Sequence, residues 1–333
     1  MTPIKAFIEK HPVLTYYVLV FAISWGGILM LVAPGGIPGE PEDVARLFPF
    51  TLAALFAGPS VAGVVMTALV SGRAGLRELL ARLGRWRVGA AWWAAALLTG
   101  PVLVAAVLFG LSLYSPDFVP GLLTTEDKLG LLIFGLGWGL VGGGLLEELG
   151  WTGFAVPTLR RRYTALATGL IVGFLWGTWH VLIAVWASRG LAGEASLTGF
   201  VAGFLAFYFV ALPAYRVLMV WLYDHTASLL LAMLMHAVLS ASTIVLQPLS
   251  AHGQFTWNVL LGAALWAVVA VVARVRRGEL PRGRFNRPAG RSHDRHGHPA
   301  RWRASPLRCR RLPLFWRCSP TSSTSCSALA GRW

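Results

Sequence analysis

Eight apolar runs, each close to the length of a bilayer span, recur along this chain. They fall at about 13–34, 48–71, 89–113, 130–153, 165–187, 197–222, 227–247 and 256–273. A helix needs about 20 mostly apolar residues to cross the hydrocarbon core. Only helices and closed barrels satisfy their own backbone there. Hydrophobic residues make up 56% of the chain and charged residues 13%. The reading is an all-α polytopic membrane protein of about eight transmembrane helices. The first run is too long for the apolar core of a signal peptide and reads as a retained span. Gly58 and Pro59 lie inside the second run, and Pro213 is expected to kink the sixth. Between the second and third runs, residues 72–87 read as an amphipathic helix lying on the membrane surface. Leu76, Leu79, Leu80 and Leu83 form its apolar stripe, and Arg77 and Arg82 point elsewhere.

The formal charge of +15 would suggest nucleic acid until it is located. Residues 274–333 hold 15 of the 29 Lys and Arg and, as acids, only Glu279 and Asp294. The membrane body is nearly neutral, so the charge gives no reason to expect a nucleic-acid partner. All three cysteines (Cys309, Cys318, Cys326) also lie in the tail. The body therefore has no cysteine nucleophile, thiolate metal site or disulfide. Residues 276–333 read as a disordered basic tail, either out-of-frame sequence or a segment held by anionic lipid head groups.

The basic residues of the body sort by connection. Lys5, Lys10, Arg73, Arg77, Arg82, Arg85, Arg87, Arg160 to Arg162 and Arg274 fall in one alternating set. Arg46, Lys128 and Arg189 fall in the other, with Glu40, Glu42, Asp43, Asp117, Glu126 and Glu194. The positive-inside rule then places both termini in the cytoplasm, with the chain integral to a bacterial cytoplasmic membrane.

Ionisable groups inside apolar runs cost roughly 2.5–3.5 kcal/mol each on insertion scales, so they mark function by default. Glu147 and Glu148 stand together near the end of the fourth run, His180 inside the fifth and His236 inside the seventh. At 1.5 Å per residue the glutamates are expected about 8–12 Å from the cytoplasmic end. Two adjacent carboxylates cannot comfortably both ionise in a low-dielectric pocket. A carboxylate beside a histidine can take a proton from water. A second histidine with a hydroxyl neighbour, here Ser240 one turn on, can donate to a developing oxyanion. Each group alone has an ordinary reading, such as a snorkelling carboxylate paired with Arg160 to Arg162 or a packed histidine. Their appearance together is what points to chemistry.

These residues also carry a resemblance. EELGWTGFAVPTLRRRY, GFLWGTWHVLIAVW and LLLAMLMHAVLS resemble the three motifs of the CAAX-processing and bacteriocin-processing intramembrane proteases, the CAAX prenyl protease type II-like (abortive-infection-like) domain. Those motifs are EExxxR, WxxxH or FxxxH, and HxxxN or HxxxD. The resemblance covers roughly residues 125–247. It implies a catalytic core at 125–250, after helices 1–3 at 1–124 and before a last helix at 251–275. It further implies that Glu147 and His180 activate water, that His236 stabilises the oxyanion and that Glu148 supports the site, with Trp176 opening the second motif. Two positions depart: the motif Arg falls on Thr152 and the motif Asn on Ser240.

The leading expectation is a glutamate-type intramembrane endopeptidase, needing no cofactor, that cleaves a lipidated or hydrophobic membrane-associated peptide among the membrane lipids, near the cytoplasmic side. A zinc peptidase with His180, His236 and Glu147 as ligands is the mechanistic alternative. A weak or inactive relative that scaffolds a partner or confers immunity to a peptide is the alternative from another class, favoured by Thr152 and Ser240. A proton-coupled transporter is a third, but no paired inverted halves are visible.

Overall fold

The computed structural model describes residues 3–191, 197–248 and 253–275. All lie within one unit, residues 1–287. The expected tail at 276–333 lies outside the described residues. Among the described residues there is no strand, and eight helices are long and apolar enough to span a bilayer. They are α1 (Pro12–Gly35), α2 (Pro41–Leu83), α3 (Ala90–Ser112), α4 (Lys128–Leu159), α5 (Ala165–Gly190), α6 (Thr198–Thr226), α7 (Leu229–Leu246) and α8 (Gln254–Val275). A short helix, Pro3–Lys10, precedes them. The chain is an integral membrane protein. Leu14, Val18, Met30, Val102 and Phe109 are exposed on its outer surface, where lipid rather than water is their neighbour. In a soluble protein such exposure would be a liability.

The interior is built around α4, α5 and α7. Glycines on α4 let other helices approach closely, the usual packing device where no hydrophobic effect drives helices together. A Cβ at Gly144 would stand 2.8 Å from the Met233 carbonyl of α7, and one at Gly63 on α2 would stand 2.7 Å from the Gly150 Cα. Two stretches of α4, Gly139–Glu147 and Trp151–Ala155, are π-helical. Such wide turns cluster at functional sites; Glu147 ends the first, and Glu148 lies between the two. Ahead of Pro213, where a kink is expected, lies a third π turn, Phe207–Ala211. Proline lacks the N–H that an α-helical ladder needs, and the wider turn sits just before it.

The surface helix differs from expectation. Helix α2 breaks at Gly72, whose φ of 60° favours glycine, and the chain then runs on as helix to Leu83. Leu80 is 66% exposed, so it is not part of the buried stripe, whereas Arg82 is 8% exposed and points inward. Its Nη1 donates to the Tyr223 hydroxyl at 2.7 Å and its Nη2 to the Gly153 carbonyl at 3.0 Å. Leu79 packs with Leu229 and Met233 beside it. This segment therefore closes over one end of α4 and α7 rather than only resting on a membrane surface.

Candidate active site

Helix α4 continues to Leu159, six residues beyond its expected end. Glu147 is therefore about 18 Å from the arginine-rich end of its helix at 1.5 Å per residue, not 8–12 Å. Both glutamates are buried: Glu147 is 3% exposed and Glu148 0%. Successive residues on a helix point in different directions, and here the two carboxylates have different surroundings.

Glu148 is fully engaged. His236 Nδ1 lies 2.8 Å from its Oε1. Arg216 Nη1 donates to Oε2 at 2.9 Å, while Nη2 stands 2.8 Å from Oε1 as an ion-pair contact outside hydrogen-bonding geometry. Thr152 Oγ1 donates to Oε2 from one turn along α4. With a guanidinium spanning both oxygens the group is a carboxylate, which only accepts, so His236 Nδ1 is the donor and Nε2 faces the other way. The Arg216 guanidinium also lies 4.2 Å over the Trp176 ring, a cation–π contact of the kind common for arginine.

Glu147 is held at one oxygen only. Its Oε2 accepts from Trp176 Nε1 at 2.6 Å and from Trp151 Nε1 at 3.1 Å. Among the described residues no hydrogen bond falls on Oε1. His180 Nδ1 lies 2.9 Å from the Trp176 carbonyl. A carbonyl can only accept, so Nδ1 carries the proton and Nε2 of the neutral ring is a base. The Tyr208 ring packs 4.4 Å from the His180 ring.

One cavity of about 490 Å³ is lined by Glu147, His180, His236, Ser240, Trp176 and Tyr208, among others. Gly143 stands at its wall. A Cβ there would meet Ser240 Oγ at 2.7 Å and His236 Nε2 at 2.9 Å. Those two polar atoms therefore flank one point that only glycine leaves open.

The structure brings Glu147, Glu148, His180, His236, Ser240, Thr152 and Trp176 into a single cluster. It does not bring in Arg160 to Arg162. Arg160 instead grips Asp224, with Nη2 at 2.7 Å from Oδ2, and Arg161 and Arg162 are exposed. Arg216, Trp151, Gly143 and Tyr208 went unpredicted. Arg216 had a signal: it is an arginine in the middle of an apolar run, which is costly unless paired. Among the described residues, no three His, Cys, Asp or Glu side chains come together as a group able to hold a metal.

Fold and site together define a polytopic helical membrane protein with a buried glutamate–histidine centre on one cavity. Residues 129–242 match the family model of the Rce1-like type II CAAX prenyl endopeptidases. No curated protein matches the chain. The match spans most of α4 to α7. The family is the one read from the three motifs, and it is one of CAAX-type intramembrane proteases.

Proposed function

We propose that the chain is a glutamate-type intramembrane endopeptidase that hydrolyses a lipidated or hydrophobic peptide by an activated water, without a metal. One observation carries this reading. Two adjacent glutamates are held differently: Glu148 has its acceptor sites filled, and Glu147 keeps one oxygen free in a cavity shared with His180 and His236.

In the proposed reaction, water between Glu147 and His180 gives its proton to that pair. Its oxygen bonds to the peptide carbonyl carbon, and the carbonyl electrons move onto oxygen. His236 Nε2, with Ser240 Oγ beside it, faces that oxyanion. This requires a proton on both nitrogens of His236, since Nδ1 already donates to Glu148. The C–N bond then breaks, and the abstracted proton passes to the leaving nitrogen. Glu148 and Arg216 are positioning residues that hold His236 without touching substrate. Trp176 ties the two glutamates together, bonding Glu147 and stacking on Arg216.

The rival scaffold or immunity reading rests on Thr152 and Ser240. Arg216 supplies to Glu148 the cation that Thr152 lacks, which leaves Ser240 as its main support. The test is mass analysis of products after the purified chain meets lipidated and hydrophobic peptides in isotopically labelled water. One labelled oxygen in a new carboxylate is expected. Unaltered peptides throughout, from a protein that binds one of them, would favour the scaffold reading.

A further inference from the structure

The cavity runs in one direction from the glutamate–histidine centre. On α7 it is lined by His236, then Ser240, Thr243 and Gln247 at the helix end. On α5 it begins at Trp176 and continues past His180 to Ala184, and on α8 it uses the first turns from Gln254. Among the described residues, none before Trp176 on α5 or before His236 on α7 lines it, and none after Glu147 on α4. Gln247 is exposed and Gln254 half-buried, so the cavity reaches the ends of the helices on that face.

The other direction is closed. Past Glu148, α4 presents Trp151, Phe154 and Leu159, all buried. Leu79 lies against Gly153, where a Cβ would meet its Cδ1 at 3.0 Å. Arg82 ties Gly153 to Tyr223, and Arg160 binds Asp224. This closed face carries Lys5, Lys10, Arg73, Arg77, Arg85, Arg87, Arg161, Arg162 and Arg274. The face that the cavity reaches carries Glu40, Glu42, Asp43, Asp117, Glu126 and Asp127 against Arg46, Lys128 and Arg189. Gly39 N–H on that face donates to the Trp186 carbonyl at 2.8 Å, and Arg189 pairs with Glu40. Basic connections stay on the cytoplasmic side of a membrane.

We infer that substrate enters from the exoplasmic side, opposite the arginine-rich face. Resting on the endopeptidase reading, this narrows the substrate to a peptide or lipopeptide presented at the outer leaflet or outer surface. A cytoplasmic lipidated carboxyl terminus would meet the closed face. This inference departs from the expectation of cleavage near the cytoplasmic side.

The cysteine-free body makes this testable without a known substrate. In the full chain with Cys309, Cys318 and Cys326 changed to serine, single cysteines replace Gln247, Ile244 (a half-buried lining residue) and Arg77 (exposed on the arginine-rich face). A small membrane-impermeant thiol reagent is applied to intact cells and to inverted vesicles. The expected result is labelling of Gln247→Cys and Ile244→Cys in intact cells, with Arg77→Cys labelled only in inverted vesicles. Labelling of Ile244→Cys only in inverted vesicles, or its absence from both while Gln247→Cys reacts, overturns the inference. So does labelling of Gln247→Cys only in inverted vesicles. The readout is independent of hydrolysis, so its failure would leave the endopeptidase reading standing, whereas failure of that reading would leave the exoplasmic opening and remove only the substrate drawn from it.

Discussion

Arg216 on α6 and Glu148 on α4 form a completely buried ion pair, with Nη1 2.9 Å from Oε2 and Nη2 2.8 Å from Oε1. The pair joins residues 68 positions apart. It puts a cation on the second glutamate although the motif position that should supply one is Thr152. Thr152 donates its hydroxyl to the same carboxylate, so both side chains hold Glu148.

Arg216→Met should cut peptide hydrolysis by at least about 100-fold, because breaking a buried pair from one side costs about 3–5 kcal/mol. Arg216→Lys should recover only part, since an ammonium cannot span both oxygens. The discriminating variant is Thr152→Arg in the Arg216→Met background, which returns the cation to α4. Hydrolysis rising again in the double variant is expected. Equal loss in the single and double variants would show that Arg216 acts only through packing.

The two glutamates should separate in a paired measurement of turnover and thermal stability in detergent. Glu147→Gln is expected to abolish turnover and leave stability near that of the parent, since Oε2 can be replaced by an amide oxygen that still accepts from both tryptophans. Glu148→Gln is expected to lower both, because it strips the charge opposite Arg216, at a cost of about 3–5 kcal/mol. Matching stability losses in the two variants would contradict the division of roles.

Gly143→Ala separates local helix preference from site geometry. Alanine is favoured over glycine inside a helix by about 1 kcal/mol, so propensity alone predicts a neutral or stabilising change. The added Cβ would press on Ser240 Oγ and His236 Nε2. A misplacement of 1 Å at a reacting centre can cost about 100-fold, and a loss of that order in turnover is expected, read from initial rates with saturating peptide. Unchanged rates would remove Gly143, and the oxyanion position beside it, from the account.

The eight spans were legible because run length alone decides them, and Glu147, Glu148, His180 and His236 because ionisable groups in apolar runs stand out. What each group bonds to was not legible. Glu147 and Glu148 are neighbours of one residue type, and only tertiary contacts from α5, α6 and α7 make one a clamp and leave the other open. Periodicity puts Arg82 on the polar side of its helix, whereas its partners, Tyr223 and the Gly153 carbonyl, lie 141 and 71 residues away. Helical periodicity carries no information at that range. Arg216 was visible as a charge in a span, but nothing local names Glu148 as its partner.

The central claim is that Glu147 and His180 activate water without a metal. Its most direct test is hydrolysis of lipidated and hydrophobic peptides by the purified chain, alongside Glu147→Gln and His180→Ala, each with and without a chelator. Turnover by the parent is expected to survive chelation and to disappear in both variants while they remain folded. Turnover that persists in either variant, or that chelation abolishes and zinc restores, would contradict the claim.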